Sequence, residues 1–456
     1  MNLEDENMTT LVERAVKIAM REDFDDAVAI LKEEKEDYLK VANSKVDSLV
    51  EEHDRIITVF LAKDNRLLFI SAENPTDQML EQRIKKAAKE IAGIRPKKDY
   101  NGIANGRKHY GADRGTYREF ATIDADFLSD MANGMIAGAE DGGALATAGT
   151  LYLNAYTTEF CTSGGYSGRS SSAHMRVSIR CFGRISSFQD FAVLKSARNL
   201  DLQAFGKKAA EMSNMVKKKG KAEAGRYDII YMPSPAGSLL SNINSMACMG
   251  NIETGSPLSG KLNKRVGNPG LTILDSGNFA ESVDYRAYDD EGMKTSTTEV
   301  IRDGVLRNYL HNFSTAKKYR TRSTGNAGLV EPEPGTPIIK HRNSTKNLDA
   351  LIGEVKKGIL ITNTWYTRFS NYLTGDFSTV PRDLSVMIRD GEPEFAIRHG
   401  GASSMVGIRI SENVLRMAKS SSLAGGKPVQ TTSWDSEGDY CFCPPMLVEG
   451  VSVTTL

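Results

Sequence analysis

The sequence predicts an α+β fold in two domains, residues 1–222 mixing helices with antiparallel strands and residues 223–456 rich in strands. Three observations carry this. A chain of 456 residues exceeds what one hydrophobic core supports. Its first half mixes helical 3.6-residue spacing with short apolar or alternating runs. Beyond Tyr227 the chain is dominated by strand-like runs and glycine-rich turns, with few long helical stretches.

The elements follow in order. Val12, Ala15, Val16 and Ala19 recur at helical spacing between charged residues, which predicts an amphipathic helix covering a sheet. From Asp26 to Ile70, the runs AVAIL, DYLKVAN, VDSLVEE and RIITVFLA predict antiparallel strands, the last ending at a turn at Lys63-Asp64-Asn65. Asn74-Pro75-Thr76-Asp77 supplies a break and an N-cap for a helix with Leu80, Ile84, Ala87, Ala88 and Ile91 on one face. Ile94 to Thr116, rich in Gly, Asn, Arg and Lys, is expected to be a loop or linker. A helix over Phe120 to Ala139 is expected to present Ile123, Phe127, Met131 and Ile136. LATAGTLYLN, YTTEFCT, AHMRVSIRCFG and ISSFQDFAVL predict strands, and Leu202 to Lys219 a further helix. The hydrophilic run from Lys217 to Ala224 precedes the strand YDIIYM and marks the expected domain boundary.

Composition narrows the function classes. The 58 basic residues balance the 58 acidic ones, which argues against nucleic acid as a partner. No run approaches the roughly 20 apolar residues that span a bilayer, and Met1 to Thr10 lacks the pattern of a secretory signal. A cytoplasmic protein with no membrane partner is expected. The five cysteines are scattered and odd in number, so reduced and mostly buried thiols are expected rather than a disulfide framework.

The residues that carry chemistry are few. Cys441-Phe-Cys443 places two thiols on one strand face, where they serve as small hydrophobes or, as the alternative, bind a soft metal. Asp289, Asp290 and Glu291 suit acid-base work, but before Gly292 they fit a turn in which Asp side chains accept from nearby backbone N–H groups. Ser323-Thr324-Gly325-Asn326 is rich in donors and reads equally as a tight turn or a substrate-facing loop. His53, His109, His174, His311, His341 and His399 show no ligand spacing. Gly102, Gly106, Gly111 and Gly115 form no nucleotide fingerprint.

Three ordered segments, GKLNKRVGNPGLTILDSG (260–277), YRAYDDEGMKTSTTEVIRDGVLRNYLHNFSTAKKY (285–319) and STGNAG (323–328), resemble the TldD/PmbA family of peptidases. NYLTGDFS (371–378), within the segment 359–397, resembles its TldE/PmbA branch. The resemblance implies a barrel-like C-terminal domain and a two-chain assembly that processes unfolded peptides held as an added strand. In the catalytic members a His-Glu-x-x-x-His helix and a cysteine bind zinc. The corresponding stretch here, PSPAGSLLSNINSMACM (233–249), has neither histidine nor carboxylate. The resemblance therefore implies a subunit with no catalytic residue and no cofactor of its own, zinc being held by a TldD-like catalytic partner in a heterodimer. A homodimer is the alternative assembly. Its implied substrate-binding residues are Ser323, Thr324, Gly325 and Asn326 together with Asn371, Thr374, Gly375 and Asp376. Two rival readings stay open: a homodimeric hydrolase using Cys441 or Cys443 with His311 or His399, and a peptide-binding module without a protease partner.

Overall fold

In the computed structural model the described residues are 10–113, 117–120, 122–196, 200–399, 405–432 and 439–456. The expectations drawn from residues 1–9 and 114–116 lie outside them. The first helix, α1 (Leu11–Arg21), opens on a capping box between Thr10 and Glu13 and buries Leu11, Val12, Ala15, Val16 and Ala19.

Residues 26–73 form three strands, β1 (Asp26–Ala42), β2 (Lys45–Lys63) and β3 (Arg66–Glu73); the four expected runs merge in pairs into β1 and β2. Tight hairpins join them, with Asn43, Ser44, Asp64 and Asn65 all at positive φ. Helix α2 (Asp77–Glu90) is capped by Thr76, whose hydroxyl accepts from the Met79 N–H.

Within the expected loop after Ile94, β4 (Lys108–Asp113) pairs in parallel with a later strand; its sparse apolar content hid it. After α3 (Tyr117–Phe120) comes α4 (Ala125–Asp141), where Asp124 accepts from Phe127 N–H. The buried face of α4 is Leu128, Ala132, Met135, Ile136 and Ala139, whereas the expected Phe127 is 40% exposed. Next are β5 (Ala146–Thr162), β6 (Tyr166–Phe182), β7 (Ser187–Leu194) and α5 (Leu202–Ser213). Helix α5 stops six residues before the expected Lys219, because Asn214 turns its side chain onto the Ala210 and Gly143 carbonyls. The sheet order is β3-β2-β1-β5-β6-β4, with β7 also on β6 and β4–β6 the parallel pair.

Odd-numbered residues of β1 and β2 point to the helices: Ala27, Ala29, Leu31, Ile57, Val59 and Leu61 pack with α1 and α2. Leu39 and Val41, further along the same strand, join a core that includes residues of α4 and α5. Val28 and Phe60 point to the opposite face, where Leu329 and Val330 of the second half pack against them. Two-residue periodicity thus assigns one sheet face to the helices and the other to the rest of the chain.

The second half opens with β8 (Lys219–Gly220), β9 (Gly225–Tyr231) and three short helices, α6 (Pro233–Leu240), α7 (Asn242–Ala247) and α8 (Met249–Thr254). Then follow β10 (Leu271–Ser276), β11 (Thr297–Arg302), β12 (Val305–Leu306), α9 (Phe313–Lys318), β13 (Thr336–His341) and α10 (Leu348–Gly353). The chain closes with β14 (Lys357–Asn371), β15 (Asp376–Arg389), β16 (Glu392–Ile397), β17 (Ile408–Asn413), α11 (Val414–Ser420), β18 (Ser421–Ala424), β19 (Val429–Thr432), β20 (Tyr440–Cys443) and β21 (Met446–Thr455).

One sheet runs β12-β11-β10-β13-β20-β19. The other closes on itself, since β14-β9-β21-β17-β15 is completed by β14–β15 pairing, a five-stranded barrel. Closure leaves these strands few free edges. Strand β8 pairs with β16, so residues just before the expected boundary belong to this sheet. Ile273 of the flat sheet, Ile243 of α7 and Ile359, Ile408 and Val448 of the barrel share one core.

Candidate functional site

Helices α6 and α7 begin where β9 ends. Pro233 occupies the first turn of α6, which is helical at once, and the two short helices pack their apolar residues Ala236, Leu239, Leu240, Ile243 and Ala247 into the core. The opposite stripe, Ser238, Ser241, Asn242 and Ser245, falls at helical i, i+3, i+4, i+7 spacing and lines a cavity of about 510 Å3. Thr367 and Phe369 of β14, Gly335 and Thr336 at the start of β13, Asp284, Arg286 and Cys441 complete much of the wall.

Strand β9 pairs with β14 only from Gly358 to Ile361, where β9 gives way to α6. Around Thr367 to Phe369, β14 pairs with β15 on one side, and Thr367 and Phe369 face the cavity. Among the described strands none lies across that other edge. An exposed edge of this kind offers backbone N–H and C=O groups to an extended chain.

A second cavity, about 250 Å3, adjoins the first and shares Tyr156 and Arg286 with it. It lies between β5 and β6 of the first half and the segment 285–290 of the second. Asp284, in the wall of the larger cavity, is pushed up to about 7 by desolvation, with Arg286 opposing the shift.

Behind the cavity stands a buried carboxylate. Asp275 of β10 is fully buried and accepts from Asn326 Nδ2 at 2.6 Å, Gly335 N–H at 2.8 Å and Asn244 Nδ2 at 3.1 Å. Burial raises it to about 6, while those three donors hold it down. Asp275 thus ties α7, through Asn244, to the cavity wall at Gly335 and to the loop at Asn326.

The loop Ser323 to Asn326 is itself bonded inward. Ser323 Oγ donates to the His311 carbonyl, and Thr324 Oγ1 accepts from the His311 N–H at 2.8 Å. Gly325 sits at φ +74, and Asn326 Nδ2 also donates to the Glu333 carbonyl. None of the four lines either cavity. Asn371, Thr374, Gly375 and Asp376 form the outward turn of the β14–β15 hairpin: Asn371 Oδ1 accepts from Leu373 N–H, and Asp376 Oδ1 from Asn413 Nδ2. Their neighbours Tyr372 and Leu373 are 71% and 60% exposed, and Tyr372 stacks on the cavity residue Phe369.

The Asp-Asp-Glu cluster is a turn, as its residues suggest. Asp289 Oδ1 accepts from the Glu291 and Met293 N–H groups and its Oδ2 from Ala327 N–H, with Gly292 at φ +82. A side chain on Gly292 would also strike Tyr166.

Cys441 and Cys443 do share a strand face, and both meet α6 at Gly237, where a Cβ would come within 2.3 Å of Cys441 Sγ. Cys443 is fully buried and Cys441 nearly so; desolvation pushes the Cys441 thiol up to about 12. The histidine beside them is His174, whose Nε2 meets the Tyr440 hydroxyl at 2.8 Å. His311 is bonded to Thr315 Oγ1, and His399 lies in the field of Asp383. Burial lowers His174 to about 4, so its ring is neutral. That pairing of β6 with β20 spans 266 residues and has no local signal.

Among the described residues no three His, Cys, Asp or Glu side chains are grouped to hold a metal ion. Serine hydroxyls and an asparagine amide do not suit zinc, which takes imidazole nitrogen, thiolate or carboxylate. The donor set on α6 and α7 therefore does not fit a resident zinc site.

A closed five-stranded barrel and a separate six-stranded sheet, with a polar cavity walled by short helices, define a two-part α+β protein. The family model described as the PmbA/TldA metallopeptidase C-terminal domain matches residues 224–455, and the chain belongs to this family. An uncharacterized protein of Methanocaldococcus jannaschii is 25% identical over 389 residues, 80% of this chain and 86% of that protein. A metalloprotease of Methanothermobacter thermautotrophicus is 26% identical over 168 residues, 35% of this chain and only 36% of the relative's length. The crystal structure of TldE from Thermococcus kodakarensis superposes with a TM-score of 0.81 at 18% identity, covering 97% of this chain and 99% of the other, which establishes the shared fold. No helix among the described residues is long and apolar enough to cross a membrane.

Proposed function

We propose that this chain is the non-catalytic subunit of a cytoplasmic two-subunit metallopeptidase and holds unfolded peptide for a zinc-bearing, TldD-like partner. The observation that carries this reading is the Ser238-Ser241-Asn242-Ser245 stripe. It puts neutral hydrogen-bonding groups on the cavity wall in the stretch where the family's catalytic members carry zinc ligands. Neutral donors and acceptors suit a peptide main chain, which presents both along its length. The β14 edge at Thr367 to Phe369 supplies the strand against which such a chain lies extended.

In this reading the loop Ser323 to Asn326 acts from behind the wall, through Asn326, Asp275 and Asn244. The turn Asn371 to Asp376 extends the cavity strand outward, and its exposed Tyr372 and Leu373 suit contact with peptide or partner.

Peptide hydrolysis and metal content of the purified chain, alone and mixed with a TldD-like chain from the same organism, test the proposal. No hydrolysis alone and hydrolysis in the mixture is the expected result, with Ser241→Leu lowering the rate of the mixture. Stoichiometric zinc in the isolated chain, lost in Cys441→Ser or Cys443→Ser, would overturn it in favour of a self-sufficient hydrolase.

A further inference from the structure

We propose that the smaller cavity is a subsite for one aromatic side chain of the peptide whose main chain lies in the larger one. This rests on the peptide-holding function above and goes beyond it by naming what the chain selects.

The walls are aromatic and come from separate parts of the sequence. Tyr110 belongs to β4, Phe160 to β5, and Tyr288 to the segment between β10 and β11. Their rings already pack on one another, Phe160 to Tyr288 at 4.3 Å between centroids and Tyr110 to Tyr288 at 4.8 Å. Rings gathered in this way present faces and edges against which a further ring packs favourably. At about 250 Å3 the cavity suits a single side chain rather than a folded segment.

Continuity supplies the occupant. Tyr156 and Arg286 belong to both cavity walls, so a chain lying in the larger cavity passes the mouth of the smaller. Alternate side chains of an extended peptide project to opposite faces, and one of them is then directed into it. The Tyr288 hydroxyl adds a polar requirement. Tyr288 is 8% exposed, and its hydroxyl lies near Ser170 without a well-formed hydrogen bond among the described residues. A buried donor of this kind is stabilised by an occupant carrying an acceptor, such as a phenol or the peptide carbonyl next to the ring.

Isothermal titration of the full chain with two short peptides of alanine, serine and lysine reads the subsite. One peptide carries a single central phenylalanine and the other alanine at that place. The phenylalanine peptide is expected to bind roughly tenfold more tightly. Gly111 lines the cavity, and a Cβ built on it meets no atom within 4 Å, so Gly111→Trp adds a large ring at the cavity wall without a clash at its Cβ. That variant should lose the tenfold preference and keep the affinity for the alanine peptide; Ser171→Phe, from the neighbouring strand β6, should do the same.

Equal binding of both peptides by the unaltered chain would overturn the subsite while leaving the peptide-holding function in place. A preference that survives in both filled variants would also overturn it. Binding of neither peptide would overturn both readings together.

Discussion

The helix-facing core of the N-terminal sheet and the region around Asp275 are both buried but are held by different physics. In the sheet, β1 and β2 run 17 and 19 residues and pair along their length with one register shift between Lys40 and Val41, and successive side chains alternate between the helices and the opposite face. Each position depends on its immediate neighbours and on two tight turns. Around Asp275, the structure is made by single polar atoms drawn from far apart in sequence: Asn244, Asn326 and Gly335 all converge on one carboxylate. Apolar packing is non-directional and tolerates small changes of shape, whereas a buried hydrogen-bond network tolerates loss of none of its members.

Shape-conserving substitutions should separate the two regions most. Asp275→Leu keeps the number of side-chain heavy atoms but strands three buried donors, and it is expected to lower stability by about 4 kcal/mol. Ile57→Val, at a fully buried position of β2, removes one methyl group and should cost about 1 kcal/mol. Denaturant titration of the two variants measures the contrast; equal losses would break it.

Crowding gives the next largest effect. A methyl group on Gly237 would lie 2.3 Å from Cys441 Sγ, inside the contact between α6 and β20, so Gly237→Ala is expected to cost about 2 kcal/mol. Gly111→Ala, in the first half, meets open space and should change the melting temperature little. Paired thermal melts check both.

The difference also explains what the sequence made legible. Period-two runs, the Thr76 cap and the turn at Asp64-Asn65 are local signals that mark β1, β2 and α2 correctly, whereas the helix start expected at Phe120 misses the Asp124 cap, behind which α4 begins at Ala125. The four runs before Ile70 belong to only two strands, β1 and β2, because charged middle stretches such as Glu33 to Glu36 interrupt the apolar pattern but not the pairing. Asn43-Ser44 was a hairpin without glycine and left no clear break. The site was legible in the opposite way. The shared face of Cys441 and Cys443 could be read directly, but the cavity wall draws on residues from Tyr156 to Cys441. The serine stripe is visible as helical spacing; that it faces a cavity, and that His174 rather than His311 or His399 meets Tyr440, depends on tertiary pairing alone.

Acidity provides a third, smaller test. Burial raises Asp284 to about 7, so above its unfolded value the native carboxylate is penalised for carrying charge. Below about pH 4 the group is neutral in both states and contributes nothing; as pH rises toward 7 the native state loses stability relative to the unfolded chain. Asp284→Asn removes the penalty. The variant should therefore match the unaltered protein near pH 4 and exceed it by about 1 kcal/mol above pH 7, after allowance for the water that reaches this cavity residue. A stability difference that is constant with pH would show that Asp284 does not titrate in this range.

The smallest effect belongs to the helical surface of the first half. Lys85 and Glu81 face each other one turn apart on α2 at 2.6 Å, with both side chains about half exposed. Solvent screens such a pair and ordering two long side chains costs entropy, so Lys85→Ala should change stability least of these variants, and less again in high salt. The distance is no longer than that between Asn326 and Asp275, yet the expected consequence is several times smaller, because water replaces a lost partner at the surface and cannot do so around a fully buried carboxylate. Chemical denaturation of Lys85→Ala at low and high salt measures the effect, and a loss approaching that of Asp275→Leu would refute burial as the origin of the difference between the two regions.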